Sequence, residues 1–182
     1  SIEPSRYDKK IVYATFDNHT YGDHKTYIAV SADMGKTWKK FESKEFTGFA
    51  HVIREDIVNE KLLFLGTEMG LFFSLDGGNT WMRSKYQNMP WYNLVRDIKI
   101  QPQTNDLLIA SHGRGIYIID NLQPLRELVK ADVNKEAIMF PIQSFKYDYA
   151  PQYPQPPVNL AGWVGENKVL APTIYYYLKE RS

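Results

Sequence analysis

The chain has 182 residues, 43% of them hydrophobic and 24% charged, which suits one globular domain or one domain plus a fragment. A net charge of +1 gives no electrostatic case for nucleic acid or an acidic membrane surface, and no apolar run approaches the roughly 20 residues of a membrane span. With no cysteine, disulfides and thiolate metal sites are excluded, and the 14% aromatic content favours strands.

In chain order, Ile2-Glu-Pro-Ser reads as the tail of a strand, followed by KIVYATFD (10–17) and TYIAVSAD (26–33). Residues 31–38 read SADMGKTW, and TWKKFE (37–42) follows as another strand. The series then repeats. HVIRED (51–56), KLLFLGTE (61–68), GLFFSLD (70–76) and TWMRSK (80–85) form a second set, with SLDGGNTW at 74–81. A third set begins with VRDIKIQ (95–101), DLLIASHG (106–113) and GIYIID (115–120). Four short strands per repeat, called A to D, at intervals of about 40–50 residues predict propeller blades. The expected fold class is all-β, with about three four-stranded blades and a tail rich in Pro and aromatics.

The two eight-residue motifs both fit Ser-x-Asp-x-Gly-x-Thr-Trp and begin 43 residues apart, at 31 and 74. Each reads as a C–D turn with a mechanism. Asp33 and Asp76 accept hydrogen bonds from downstream N–H groups. Gly35 and Gly78 supply positive φ. Trp38 and Trp81 start the next strand and fold over the turn. Ser31, Thr37, Ser74 and Thr80 complete the two motifs, which are read as architecture rather than catalysis.

This pattern resembles the Asp-box, or BNR repeat, found in sialidases, some xyloglucan-active glycoside hydrolases, sortilin-type receptors and many bacterial propeller proteins. The stretch 95–120 resembles the last blade of large bacterial members. The resemblance implies that residues 1–142 are C-terminal blades of a larger propeller. It also implies an extracytoplasmic setting (periplasmic, cell-surface or secreted), with the remaining blades of the same protein as a partner. After GIYIID no third motif follows. Pro124 and the helix-prone LRELVKA break the pattern, so the outer strand of that blade is either missing or supplied by AIMFPI (137–142). Residues 143–171, with their prolines and aromatics, read as a docked linker. PTIYYYLKERS (172–182) reads as a strand and resembles the first strand of the immunoglobulin-like domain that often follows such propellers.

In a propeller, ligands meet the face built from B–C and D–A loops, opposite the Asp-boxes. On that face the candidate ligand-binding residues are Trp91 and Tyr92, an aromatic pair suited to stacking on a sugar. Arg114 of the HGRG turn, beside His112, suits a carboxylate or phosphate; Arg96 and Arg114 are the arginines available for the cluster that the sialidase resemblance implies, although the family's arginine triad cannot be assembled from these blades. The alternative for the HGRG turn and for the aromatic pair is packing between blades. Glu68 and Asp97 are the candidates for a glycosidase carboxylate pair; no complete active site can be assembled from the chain. Asp17, His19, Asp23 and His24 crowd one inserted loop, but their spacing matches no metal site, so they are read as solvated charges. No metal and no cofactor is expected. The expected function is a scaffold for a glycan or peptide. Two rivals stand beside it: part of a sialidase-like glycoside hydrolase with catalytic residues partly in other blades, and a structural protein-interaction module.

Overall fold

The computed structural model describes residues 1–85, 89–142 and 172–179, and divides into two compact units, Ser1–Asp132 and Val133–Ser182. The first unit contains three antiparallel sheets. Sheet I joins β1 (Ile2–Pro4), β2 (Val12–Asn18), β3 (Asp23–Ser31) and β4 (Lys39–Lys40) in that order. Sheet II repeats the order with β5 (Ala50–Glu55), β6 (Leu63–Thr67), β7 (Gly70–Ser74) and β8 (Met82–Arg83). Sheet III has three strands, β9 (Val95–Ile100), β10 (Leu107–Ser111) and β11 (Ile116–Ile119), followed by helix α1 (Gln123–Lys130). The fold is all-β apart from this helix and one short 3-10 turn, His19–Tyr21.

Sheet II lies between the other two because its strands are apolar on both faces. Side chains alternate along a strand. Leu63, Leu65 and Phe72 therefore pack with Tyr13 and Ile28 of sheet I. Leu62, Phe64 and Leu71 pack with Val95, Ile98, Leu107 and Ile109 of sheet III. Gly66 is small for a reason: a Cβ there would lie 2.6 Å from Val95 Cγ1.

Polar contacts join the A strands. Arg54 on β5 donates from Nε to the Ile98 carbonyl at 2.8 Å and from Nη2 to Asp97 Oδ1 at 3.0 Å, and it pairs with Glu3 on β1. One guanidinium thus ties β5 to the A strands on either side. Glu55, buried at the end of β5, accepts from Ser5 Oγ at 2.8 Å and the Arg6 N–H at 2.8 Å. The Tyr13 hydroxyl also reaches Glu55, and burial followed by that carboxylate pushes its pKa up. Asp56 binds Arg126 of α1 through two bonds of 2.8 and 2.9 Å, with both residues buried. Asp56 also accepts from the Val58 and Asn59 N–H groups, so its lone pairs are matched inside the fold.

The two Ser-x-Asp-x-Gly-x-Thr-Trp corners have the same bonds. Gly35 N–H and Gly78 N–H each donate to the motif serine Oγ at 2.8 Å. Thr37 and Thr80 each donate their N–H to an aspartate Oδ1 at 2.8 Å and their hydroxyl to Oδ2 at 2.6 Å. Each tryptophan closes its corner from Nε1 to the glycine carbonyl at 3.0 Å. Hydrogen bonds from Thr37 and Ser31 lower Asp33 to about 2. Its contribution is therefore complete above the ordinary carboxylate value and is lost as pH falls toward 2. At Asp76 burial opposes the shift, yet the bonds from Thr80 and Ser74 still lower its pKa.

The corners differ in what covers them. Trp81 is 3% exposed because Phe41 and Phe46 of the preceding repeat pack on it, at ring distances of 5.9 and 5.4 Å. Trp38, with no such neighbour among the described residues, is 44% exposed. The outward face of sheet I also carries a hollow of about 500 Å³ lined by Phe16, Tyr27, Ala29 and Lys40. Ile116 and Ile118 are exposed on β11.

Two expectations are refined. The outer strands β4 and β8 are two residues each, because the corners consume the residues before them. Segment 137–142 does not complete sheet III. Its strand β12 (Ala137–Met139) pairs instead with β13 (Tyr176–Leu178), Ala137 opposite Leu178, in a two-stranded sheet of the second unit. The linker reading of 143–171 lies outside the described residues.

Gly35 and Gly78 provide a matched test. Both have positive φ, +86° and +93°, but a Cβ at Gly78 would lie 2.5 Å from the Phe41 ring, whereas at Gly35 the nearest atom is Trp38 Cζ2 at 3.6 Å. Gly35→Ala should cost about 1–2 kcal/mol of backbone strain. Gly78→Ala should cost about 1–3 kcal/mol more, from overpacking. Urea denaturation of both variants measures the difference.

Candidate functional site

Antiparallel alternation sorts the connections to two ends. The β2–β3, β6–β7 and β10–β11 turns, the 41–49 connection and residues 89–94 gather at one end, and the Asp/Gly/Trp corners lie at the other. The loop end holds every ligand-binding residue predicted from the sequence, and the structure sorts these residues into two groups and a turn.

The first group is built on Arg83 of β8. Its guanidinium lies over the Trp91 ring at 4.1 Å and near the Tyr92 ring at 5.3 Å. The same group donates to the Met69 and Trp91 carbonyls, tying the β6–β7 turn to the 84–94 connection. Burial lowers the Arg83 pKa, although an arginine stays charged across the accessible range. Trp91 and Tyr92 remain 46% and 64% exposed. Arg83 was not singled out from the sequence, where it reads as one more charge on an outer strand.

The second group joins all three sheets. The β5–β6 register places Ala50 opposite Thr67 and Val52 opposite Gly66, so His51 is the extra residue of a β-bulge. The β9–β10 register places Val95 opposite Ser111 and Asp97 opposite Ala110, so Arg96 is extra in the same way. These two residues stand 45 positions apart, the spacing of their repeats. Bulges re-aim side chains, and here both aim to one place: Arg96 Nη1 lies 3.2 Å from His51 Nδ1. An arginine only donates, so that histidine nitrogen accepts. Burial, and then the Arg96 charge, lower the His51 pKa and keep the ring neutral. From sheet I, the Thr15 hydroxyl holds the His51 carbonyl at 3.0 Å.

Phe49 organises the neighbouring rings. His19 stacks on it at 4.5 Å, His24 is tilted against it at 5.8 Å and His51 meets it edge-on at 4.9 Å. Asp17 accepts from the His19 N–H at 3.0 Å and lies 2.5 Å from the ring Nδ1. Burial would raise the Asp17 pKa, but these His19 bonds outweigh it and lower the value. Glu68 Oε2 lies 3.8 Å from His24 Nδ1. Beside this group, a cleft of about 630 Å³ opens between the β2–β3 turn and the 41–49 connection, lined by Asp23, His24, Lys25, Phe41, Ser43 and Phe46.

Three observations bear on the remaining candidates. Asp97 is bound by Arg54 and by the Ile98 N–H at 2.9 Å, whereas Glu68 faces His24, so the two carboxylates have different partners. The HGRG turn is closed by Ser111, whose N–H and hydroxyl both donate to the Gly115 carbonyl, while His112 N–H donates to the Leu94 carbonyl at 2.9 Å. Arg114 is exposed at its tip. Among the described residues, no group of three or more metal-ligating side chains is arranged to hold an ion, and no helix is long and apolar enough to cross a membrane.

No protein-family model and no curated protein sequence matches this chain. Solved structures do match. A crystal structure of a GH74 enzyme from Niastella koreensis aligns with a TM-score of 0.55 at 19% identity, over 66% of this chain and 21% of that one. The fold is part of a β-propeller. A crystal structure of an ancestral GH74 enzyme gives 0.47 at 19% identity, over 60% of this chain and 16% of that one. GH74 enzymes are propeller glycoside hydrolases, and this propeller segment spans about a fifth of the length of the first. At this identity the likeness speaks for the fold.

Arg83 gives the local prediction. Replacing it with Ala should move or broaden the Trp91 indole resonance in ¹H–¹⁵N spectra, leave Trp38 and Trp81 in place, and cost about 0.5–1 kcal/mol in stability. Unmoved Trp91 signals would remove the clamp.

Proposed function

We propose that this chain is a segment of an Asp-box propeller of the sialidase-like and sortilin-like kind, presenting its loop end to a glycan in an extracytoplasmic protein. The observation that carries the reading is the Trp91–Tyr92 pair. It is half-exposed at the loop end, with the Trp91 ring backed by Arg83. A rigid aromatic ring that stays half-exposed suits the apolar side of a sugar. The fold likeness to glycoside hydrolases supports the same ligand class by analogy.

The segment is read as a binding scaffold without its own complete carboxylate pair. Asp97 serves Arg54 and so contributes to the assembly of the A strands. If the protein hydrolyses anything, the class is glycoside hydrolysis, with the other catalytic group outside these residues. A second reading, a structural interaction module, is supported by the open apolar faces at Trp38 and Ile116; remaining blades of the same protein would cover them. A peptide is the other ligand considered for the loop end. In domain terms, 1–142 are propeller blades, 143–171 a docked linker and 172–182 the start of a following β domain.

A glycan array with the folded chain should show binding that Trp91→Ala weakens about tenfold or more, with the urea midpoint retained. Chromogenic glycosides presented to the longest available form of the protein test for hydrolysis. Glycan binding that Trp91→Ala leaves unchanged would remove the platform. Hydrolysis abolished by Glu68→Gln and Asp97→Asn would replace the scaffold with an enzyme.

A further inference from the structure

The β2–β3 hairpin runs past its counterpart in sheet II. Strand β3 has nine residues and β7 five, and both end at the motif serine, Ser31 or Ser74. The extra residues, 23–26, therefore project at the loop end. We infer that this overhang, with the 41–49 connection facing it, is a docking groove for an extended peptide, which adds as a strand beside β3 where β4 stops. The groove is separate from the Trp91 platform: none of the ligand-binding candidates named above lines it.

Along the rest of β3 the outer edge is occupied. Strand β4 lies opposite Ala29 and Val30, and the Phe41 N–H donates to the Ile28 carbonyl at 3.0 Å. There the chain leaves the sheet, and it comes back to β3 where the Thr26 hydroxyl donates to the Gly48 carbonyl. Backbone groups of alternate residues point to the same edge, so the Thr26 backbone faces the side on which Ile28 meets Phe41. Strand β2 does not take up this stretch either. The register steps from Tyr27 opposite Phe16 to Asp23 opposite Asn18, so His24, Lys25 and Thr26 have no register partner in either neighbouring strand. The Lys25 N–H is turned to Asp23 Oδ1 at 3.2 Å. An unpaired strand edge is a template for another strand. A peptide added in this way gains affinity from main-chain bonds and specificity from its alternate side chains.

The space beside this edge has the size and the walls for such an occupant. The cleft of about 630 Å³ is bounded by residues 22–26 on one side and by Phe41, Glu42, Ser43, Phe46 and Gly48 on the other. Five extended residues span about 17 Å. The far wall is anchored, because the Phe41 and Phe46 rings both pack on buried Trp81. The charges specify the occupant further. Lys25 and Glu42 stand on opposite walls, both exposed, and neither has an ion-pair partner within 4 Å among the described residues. Asp23 is already matched: bonds from the Tyr27 hydroxyl, at 2.6 Å, and from the Lys25 N–H lower its pKa. The groove thus fits a segment with an acidic side chain toward Lys25, a basic one toward Glu42, and an apolar one between them against the phenylalanines. A peptide is favoured over a sugar because the unpartnered groups of the overhang are backbone groups at strand spacing. The row continues the ladder that β4 begins.

The test pans a phage library of random heptapeptides on the folded chain, then measures the recovered peptides by calorimetry and by ¹H–¹⁵N spectra. The expected peptides alternate β-prone residues and carry one acid and one base. They should shift the amides of His24 and Thr26, and lose at least tenfold in affinity when alternate residues are N-methylated. Glu42→Lys should weaken them at least threefold, an effect that added salt removes. A variant with residues 17–26 replaced by Glu-Met, the turn that joins β6 to β7, should bind none of them. Urea midpoints control for folding, and Glu42→Lys, which alters one exposed side chain, decides the matter if the shortened variant does not fold. Recovery of no peptide that shifts His24 and Thr26 overturns the inference. So does binding that N-methylation or Glu42→Lys leaves unchanged. Shifts of the same amides by maltohexaose, without any by peptides, would place a sugar in the cleft and overturn it as well. The Trp91→Ala result on glycans bears only on the platform, so the two readings fail separately.

Discussion

Side chains of β6 point alternately into two different cores, and the remaining geometry depends on this. Leu63 and Leu65 face sheet I, while Phe64, and Leu62 just before the strand, face sheet III. A strand apolar on both faces must be covered on both. Burial of each such side chain stabilises by about 1.5–3 kcal/mol. A one-residue slip of β6 would exchange the two sets and break both cores at once. The register of the central sheet is therefore strongly specified, and with it the end at which each turn emerges. Among the described residues the outer sheets are covered on one side only, so the same motif gives a buried Trp81 and a half-exposed Trp38.

Polar contacts then set how neighbouring A strands lie. Hydrophobic cores resist separation but tolerate sliding. Arg54 fixes β5 against Glu3 on one side and Asp97 on the other, and Glu55 and Asp56 hold the far end of the strand to sheet I and to α1. Breaking the buried Asp56–Arg126 pair by removing one partner costs about 3–5 kcal/mol, because the remaining charge is left uncompensated. With the far end so held, the register shifts of the two bulges fall at the loop end, where they re-aim His51 and Arg96.

Much of the blade pattern was legible because it is local. Alternating apolar strands, a repeat near 45 residues and two corners with an Asp, a Gly and a Trp each declare themselves in short windows. Trp91 and Tyr92 were legible as an aromatic pair in a long polar loop. What was not legible is what comes together across sheets. Nothing in TWMRSK distinguishes Arg83 from the Lys40 of TWKKFE, yet only Arg83 meets an aromatic pair from the next connection. Nothing in FAHVIRED marks His51 as bulged, because a bulge is a property of the ladder and not of one strand. Asp97 read as a possible acid for catalysis because its partner Arg54 lies 43 residues away. The AIMFPI strand was legible as a strand, but its partner β13 lies in the second unit.

The central claim is that sheet II is shared between two cores, and amide hydrogen exchange of the folded chain tests it most directly. The account predicts that the amides of Leu63–Thr67 exchange only through global unfolding, more slowly than those of the one-sided strands Asp23–Ser31 and Ile116–Ile119. Protection in β6 no greater than in β11 would contradict it.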